Sequence, residues 1–202
     1  MVLRKIFTFS VLVILLSFWV VPAGSHPHIF IVQRLSMVFD EKGLAGIRVH
    51  WKFDDMFAGM IAEDHDFNHN GYLEADEVKS IREKAFSYLA ESNYFVFIKI
   101  ENRPFQVKYT TDFTAILRDG RLEYRFFIPC RVKATRNEKE ITVATYDPSY
   151  YSAVFFAKNN PVSLISSDAC EVKTAIREEP ATTIYYGMIH PWTLFLEFSL
   201  KP

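Results

Sequence analysis

The run Asp66-Phe67-Asn68-His69-Asn70-Gly71-Tyr72-Leu73-Glu74-Ala75-Asp76-Glu77 narrows what this chain can become more than any other stretch. Oxygen-bearing side chains stand at its first, third and fifth positions, Asp66, Asn68 and Asn70, so a chain that curls there turns alternate oxygens into one hollow. Gly71 is sixth, where the sharp turn calls for a backbone conformation that a Cβ penalises. Tyr72, seventh, offers its backbone carbonyl, and Glu74, ninth, a carboxylate that acts directly or through a water. Glu77 closes the run as a bidentate carboxylate on the first turn of a following helix. The pattern is that of an EF-hand loop, and the cation it predicts is Ca2+. Starting the same pattern at Asp64 fails, because His69 then occupies the glycine position and Ala75 the closing one.

The flanks fit a helix on each side. Phe53, Met56, Phe57, Met60 and Ile61 before the loop, and Val78, Ile81, Ala85 and Leu89 after it, recur at helical spacing. They predict two helices over residues 53–91 whose apolar stripes face a core. No second loop of this kind occurs in the 202 residues, so the pair must be supported by other structure.

That other structure reads as strands. Residues 29–39 alternate apolar and polar, Asp40-Glu41-Lys42-Gly43 makes a turn, and Ile47, Val49 and Trp51 resume the alternation, which predicts a hairpin. Further strands are expected over residues 94–100, 105–111, 114–117, 122–129, 141–146, 154–157 and 162–165, with Asp119-Gly120 turning one short hairpin. Beyond Cys170 the pattern weakens until a last apolar strand at residues 192–200. The expected fold is α+β: antiparallel, sandwich-like sheets with an EF-hand-like helix-loop-helix inserted after the second strand. The domain is expected over residues 26–172. Residues 173–202 form an extension that packs as a strand on the same domain or meets a partner.

At the start, Arg4 and Lys5 precede an apolar run over residues 6–21, which ends at Pro22 and is followed by Ala23-Gly24-Ser25. Those are the parts of a signal peptide over residues 1–25. The run is interrupted by Thr8, Ser10 and Ser17 and falls short of the ~20 residues a membrane span needs. A periplasmic or secreted chain beginning near His26, with no stable span after cleavage, is therefore expected. Half of the residues are apolar, enough for a proper core, and a net charge of −1 with no basic stripe leaves no electrostatic case for nucleic acid. Cys130 and Cys170 predict a disulfide in an oxidising compartment, closing a loop of ~40 residues and contributing ~2–4 kcal/mol.

Transition metals prefer imidazole where Ca2+ does not, so the histidines bear on a second metal. After cleavage, His26 would offer its amine and its ring, with His28 two residues on, and the pair is a candidate site for Zn2+ or Ni2+. Alternatively, His-Pro-His is an extended lead into the first strand. His50 faces away from the Val49 and Trp51 set and is expected on the sheet surface, while His65 and His69 are expected to be exposed. Asp54 and Asp55 are placed to favour a helix N-terminus. Catalysis has little support: there is no nucleophile elbow, glycine-rich phosphate loop or HExxH helix, and a copper brace at an amino-terminal histidine lacks an identified partner. The chain is read as no enzyme.

Taken together, the apolar leader, His26-Pro27-His28-Ile29-Phe30, Trp51-Lys52-Phe53-Asp54-Asp55-Met56-Phe57, the Asp66 loop and Tyr146-Asp147-Pro148-Ser149-Tyr150-Tyr151 resemble a family of uncharacterised bacterial periplasmic proteins. The resemblance covers roughly residues 26–172. Members are described as a domain of unknown function, or as periplasmic components of transport systems, some beside permeases for zinc, nickel or cobalt. It implies an exported location, a role in metal-ion transport or homeostasis, and an inner-membrane permease or another envelope protein as partner. Residue patterns leave three readings open: a Ca2+-binding protein whose site is mainly structural, a transition-metal chaperone or sensor using His26 and His28, and a calcium-stabilised adaptor for another envelope protein.

Overall fold

Alternation sets the first hairpin. Along β1 (Ile29–Asp40) every second side chain from Ile31 to Phe39 is buried, and β2 (Gly43–Phe53) returns antiparallel with Ile47, Val49 and Trp51 on the same face. The computed structural model describes residues 27–201. β2 pairs in turn with β6 (Arg121–Lys133), and β6 with β5 (Thr111–Arg118) across the Asp119-Gly120 turn. Gly46 lies where the β2–β6 register shifts, and a Cβ there would come within 2.4 Å of the Ile128 carbonyl oxygen.

The other edge of β1 departs from the antiparallel expectation. β8 (Ser152–Phe156) and β9 (Val162–Ile165) both run parallel to it, one after the other, so the sheet ordered β5-β6-β2-β1-β8, with β9 also on β1, is mixed. Ladder bonds bridge the break between them: the Ala157 N–H donates to the Gln33 carbonyl and the Leu35 N–H to the Pro161 carbonyl, both at 2.9 Å. Side-chain alternation is the same in either direction, so only the long connection that brings a strand back can set it.

The second sheet is antiparallel, in the order β10 (Cys170–Glu178), β11 (Trp192–Leu200), β7 (Lys139–Thr145), β3 (Val96–Ile100), β4 (Arg103–Phe105). The strand expected over residues 105–111 does not form: β4 lies earlier, at Arg103–Phe105, and residues 106–110 are irregular although Val107 is buried. β11 is no edge: it lies between β10 and β7 with Leu194, Leu196 and Phe198 buried. β10 runs through residue 172, where the extension was expected to begin, and its mostly exposed side chains explain why no pattern announced it. The two sheets share one core, in which Phe39 of β1 meets Phe198 of β11 edge-on at 5.3 Å. The fold is a β-rich α+β arrangement.

Residues 54–95 carry the chain from β2 in the first sheet to β3 in the second. They form α1 (Asp55–His65), the loop, α2 (Ala75–Lys84) and a 3-10 segment (Phe86–Phe95) that bends at Ser92, Asn93 and Tyr94. Asp54 starts the crossing. Its Oδ1 accepts the Phe57 N–H at 2.9 Å as the α1 cap, and its Oδ2 accepts the Phe30 N–H of β1 at 2.6 Å. Met56 and Met60, expected in the core, are instead 59% and 51% exposed; α1 buries Ala58, Ile61 and His65. The helix is apolar on more than one side, and packing against β6 selects which side goes in. Among the described residues no helix is long and apolar enough to cross a membrane.

Truncating Phe198 tests whether the C-terminal strand belongs to the core. Phe198→Ala should lower the unfolding free energy in urea by ~3–5 kcal/mol, the ordinary cost of removing a buried phenyl ring; a loss under ~1 kcal/mol would place β11 outside it.

Candidate metal centre

Asp66 follows α1 directly and Glu77 sits in the first turn of α2, so two helices with separate supports bring the first and last residues of the loop together. Both carboxylates are buried, at 4% and 2% exposure. Asp66 Oδ1 accepts the Asn70 N–H at 3.1 Å and Oδ2 the Gly71 N–H at 2.8 Å. Glu77 Oε1 accepts the Phe67 N–H at 2.7 Å and Oε2 the Glu74 N–H at 2.8 Å. Glu77 thus braces the backbone just after Asp66, while Asp66 holds the glycine bend in the middle of the loop. Gly71 adopts φ +81°, the left-handed turn its position was expected to need.

The middle of the loop is held by its amides. Asn68 Oδ1 accepts the Asn70 N–H at 3.0 Å, and Asn70 Oδ1 accepts the Tyr72 N–H at 2.8 Å. Glu74 caps α2 and accepts the side-chain amides of Asn70 at 2.7 Å and Asn68 at 3.3 Å. The first contact of its carboxyl is with that of Glu77, and this with the Asn70 amide holds Glu74 below the usual carboxylate range.

The donors are oxygens throughout, the set a hard cation takes. An ionised carboxylate offers about four lone-pair sites. Asp66 spends two on loop amides and keeps one free on each oxygen, while Glu77 spends two on loop amides and also contacts the Glu74 carboxyl. Among the described residues, neither forms an ion pair with a lysine, arginine or histidine. Nor do three His, Cys, Asp or Glu side chains among them already converge as a metal cluster. Asn68, Asn70 and the Tyr72 carbonyl make up half of the expected ligand set, and a cation would compete with the asparagine amides for Glu74.

His65 went unrecognised as part of this unit. Expected at the surface, it is 7% exposed, and its Nδ1 lies 3.1 Å from Ser80 Oγ of α2, a clamp between the helices beside the loop. Helical spacing could have shown it, since His65 falls in line with Ala58 and Ile61. His69 is exposed. His28 is exposed, its ring 4.9 Å from that of Tyr151, while His26 lies outside the described residues. Asp147 is buried in its turn, accepting from Ser149 and from the Ser152 N–H.

The expected disulfide is not formed: Cys130 of β6 and Cys170 at the start of β10 are both free and buried. They belong to different sheets, and burial pushes the Cys130 thiol up to about 12 and raises Cys170 as well.

His50 faces away from the core, as its alternation implied, and meets Glu123 on the neighbouring strand at 2.8 Å. Lys52 and Arg125 reach the same carboxylate at 2.8 and 3.0 Å. Burial works against the Glu123 charge, but Lys52, His50 and Arg125 overcome it and bring its pKa down to about 2. Burial also lowers His50, against the pull of Glu123.

A family described as protein of unknown function (DUF1007) matches residues 11–186. An uncharacterized 15.5 kDa protein encoded in the trpE 3' region of Spirochaeta aurantia is 29% identical over 136 residues, 67% of this chain and 96% of that protein. An uncharacterized protein of Haemophilus influenzae is 24% identical over 171 residues, 82% of this chain and 79% of that one.

Acid should act on the Glu123 cluster. A carboxylate whose folded pKa lies below its unfolded value stabilises above the unfolded value and loses that contribution as pH falls to the folded one. For Glu123 the window runs from 4.5 to about 2. The melting temperature of Glu123→Gln should therefore fall less than that of the parent across that window, and parallel curves would refute the assignment.

Proposed function

The chain belongs to the DUF1007 family of proteins of unknown function, and for this member we propose a periplasmic calcium-binding protein built on one EF-hand-like helix-loop-helix. The observation that carries the reading is the pair Asp66 and Glu77: two buried carboxylates that close one loop, share no ion pair with a described cationic side chain, and keep lone pairs directed by their amide bonds. Buried charge without a counter-charge is costly, and a divalent ion in the loop would supply one. Asp66, Asn68, Asn70, Glu74 and Glu77 would provide side-chain oxygens and Tyr72 its carbonyl. The ion would neutralise the loop and lock α1 to α2.

The role of that ion is mainly structural. With neutral amides at two positions, the site suits dissociation constants on the order of 10⁻⁴–10⁻³ M, the range of extracytoplasmic modules. An EF-hand without a partner hand is supported instead by the sheets, since Leu73 and Val78 pack on the common core. Export is supported by the leader pattern of residues 1–25, which lies outside the described residues. A place as an accessory component of metal-ion transport follows from the family resemblance.

At 10 mM Ca2+ the proposed affinities correspond to ~1.4–2.7 kcal/mol of added stability. Differential scanning calorimetry should show a higher melting temperature in Ca2+ than in chelator for the parent. Glu77→Gln should melt lower in both and respond to neither. A parent protein indifferent to Ca2+ would end the reading, and so would a variant that keeps the full calcium response.

A further inference from the structure

The second sheet ends on an open edge. Among the described residues, the ladder partner of β10 (Cys170–Glu178) is β11 alone, antiparallel from Cys170 opposite Leu200 to Glu178 opposite Trp192. In such a pair, facing residues alternate between exchanging two N–H···O bonds and exchanging none. The ends of this ladder show which are which. In register with it, the Lys201 N–H donates to the Ala169 carbonyl and the Glu179 N–H to the Pro191 carbonyl, both at 3.1 Å, while the Cys170 and Leu200 N–H groups turn away from each other, to the carbonyls of Ser167 and Thr135. The odd-numbered residues of β10 therefore bond β11, and the N–H and C=O groups of Val172, Thr174 and Ile176 point out from the sheet. Among the described residues, none of these groups has a hydrogen-bond partner.

An open strand edge is a template for another strand, and chains that stay single blunt it with short strands or with charges that repel. At nine residues β10 is long for a strand, and its charges match when it meets itself. Turned antiparallel about Thr174, the whole strand faces a second β10. Val172, Thr174 and Ile176 then stand opposite Ile176, Thr174 and Val172 of the second copy, and each pair can exchange two backbone bonds. On the outer face Glu171 meets Arg177 on both sides of the axis, and Lys173 meets the small Ala175. Glu171 and Arg177 are exposed, and among the described residues neither has an ion pair within its own chain. Arg177 is already held in place, its guanidinium 3.7 Å over the Phe195 ring. Sliding the copies by two residues keeps the backbone alternation but sets Lys173 against Lys173 or against Arg177, and sliding by one turns the bonding groups away from one another. Larger shifts leave much of the strand unpaired.

We propose that β10 pairs with β10 of a second copy of this chain in the register centred on Thr174, joining the two second sheets into one across a two-fold axis. The contact uses the same strand on both copies and closes on two, so neither sheet keeps a free edge on that side. Val172 and Ile176, half-buried against the core, cover each other across the joint. The pairing makes no use of the metal loop, which lies on the crossing between the sheets, so its test is separate from that of calcium binding.

Sedimentation equilibrium of the purified protein should give twice the chain mass at micromolar concentration. Glu171→Arg and Arg177→Glu each set like charges opposite one another at both ends of the axis, and each should weaken the dimer about ten-fold. The double variant Glu171→Arg/Arg177→Glu restores opposite charges and should return to within about three-fold of the parent. Thr174→Pro removes the central N–H, which points away from β11, so the far-ultraviolet circular dichroism should stay that of the parent while the dimer is lost. If that variant folds poorly, the charge exchange carries the test by itself. A parent that stays monomeric up to about 100 µM, a dimer that persists in folded Thr174→Pro, or single charge variants whose loss the double variant does not recover would each overturn the proposal.

Discussion

The chain has to leave one sheet at Phe53 and enter the other at Val96, and the candidate metal loop lies on that crossing. Asp54 makes the departure rigid. One carboxylate oxygen begins α1 and the other holds the β1 backbone, so Asp54 ties the start of the helix to the hairpin. α1 then rests on β6 and α2 on β5, two strands joined by a tight turn. The ends of the loop are therefore positioned by one hairpin.

This placement explains how a single helix-loop-helix can be ordered without a second one. In place of a partner hand, the unit has the β5–β6 hairpin beneath it and the His65–Ser80 clamp beside it. What remains unbalanced is electrostatic. Asp66 and Glu77 satisfy loop amides, but amides carry only partial charge and leave the two buried carboxylates without a full counter-charge. The proposed ion addresses that imbalance.

Legibility varied with how strongly burial patterned each segment. β1, β2, β5 and β6 alternate cleanly because one face is core and the other is wet, and their extents were read to within a few residues. β10 has almost no buried face and left no pattern, although it completes a sheet. In α1 the apolar residues outnumbered the positions the core could take, so Met56 and Met60 were assigned inward when Ala58 and His65 hold those places. Around the loop, the two flanking helices and the positive φ of Gly71 were legible, since helix periodicity and turn chemistry are local.

Residue order alone settles the local chemistry here: a glycine bend, alternating oxygens and a closing glutamate within twelve positions, and strand faces marked by period-two burial. Those properties arise from bonds and turns a few residues long. Assembly of the chain in three dimensions settles the parallel strands along β1, the interior position of β11, and the separation of Cys130 from Cys170 into different sheets. These depend on which surfaces exclude water together, and contacts between residues so far apart in the chain leave no periodic trace in it.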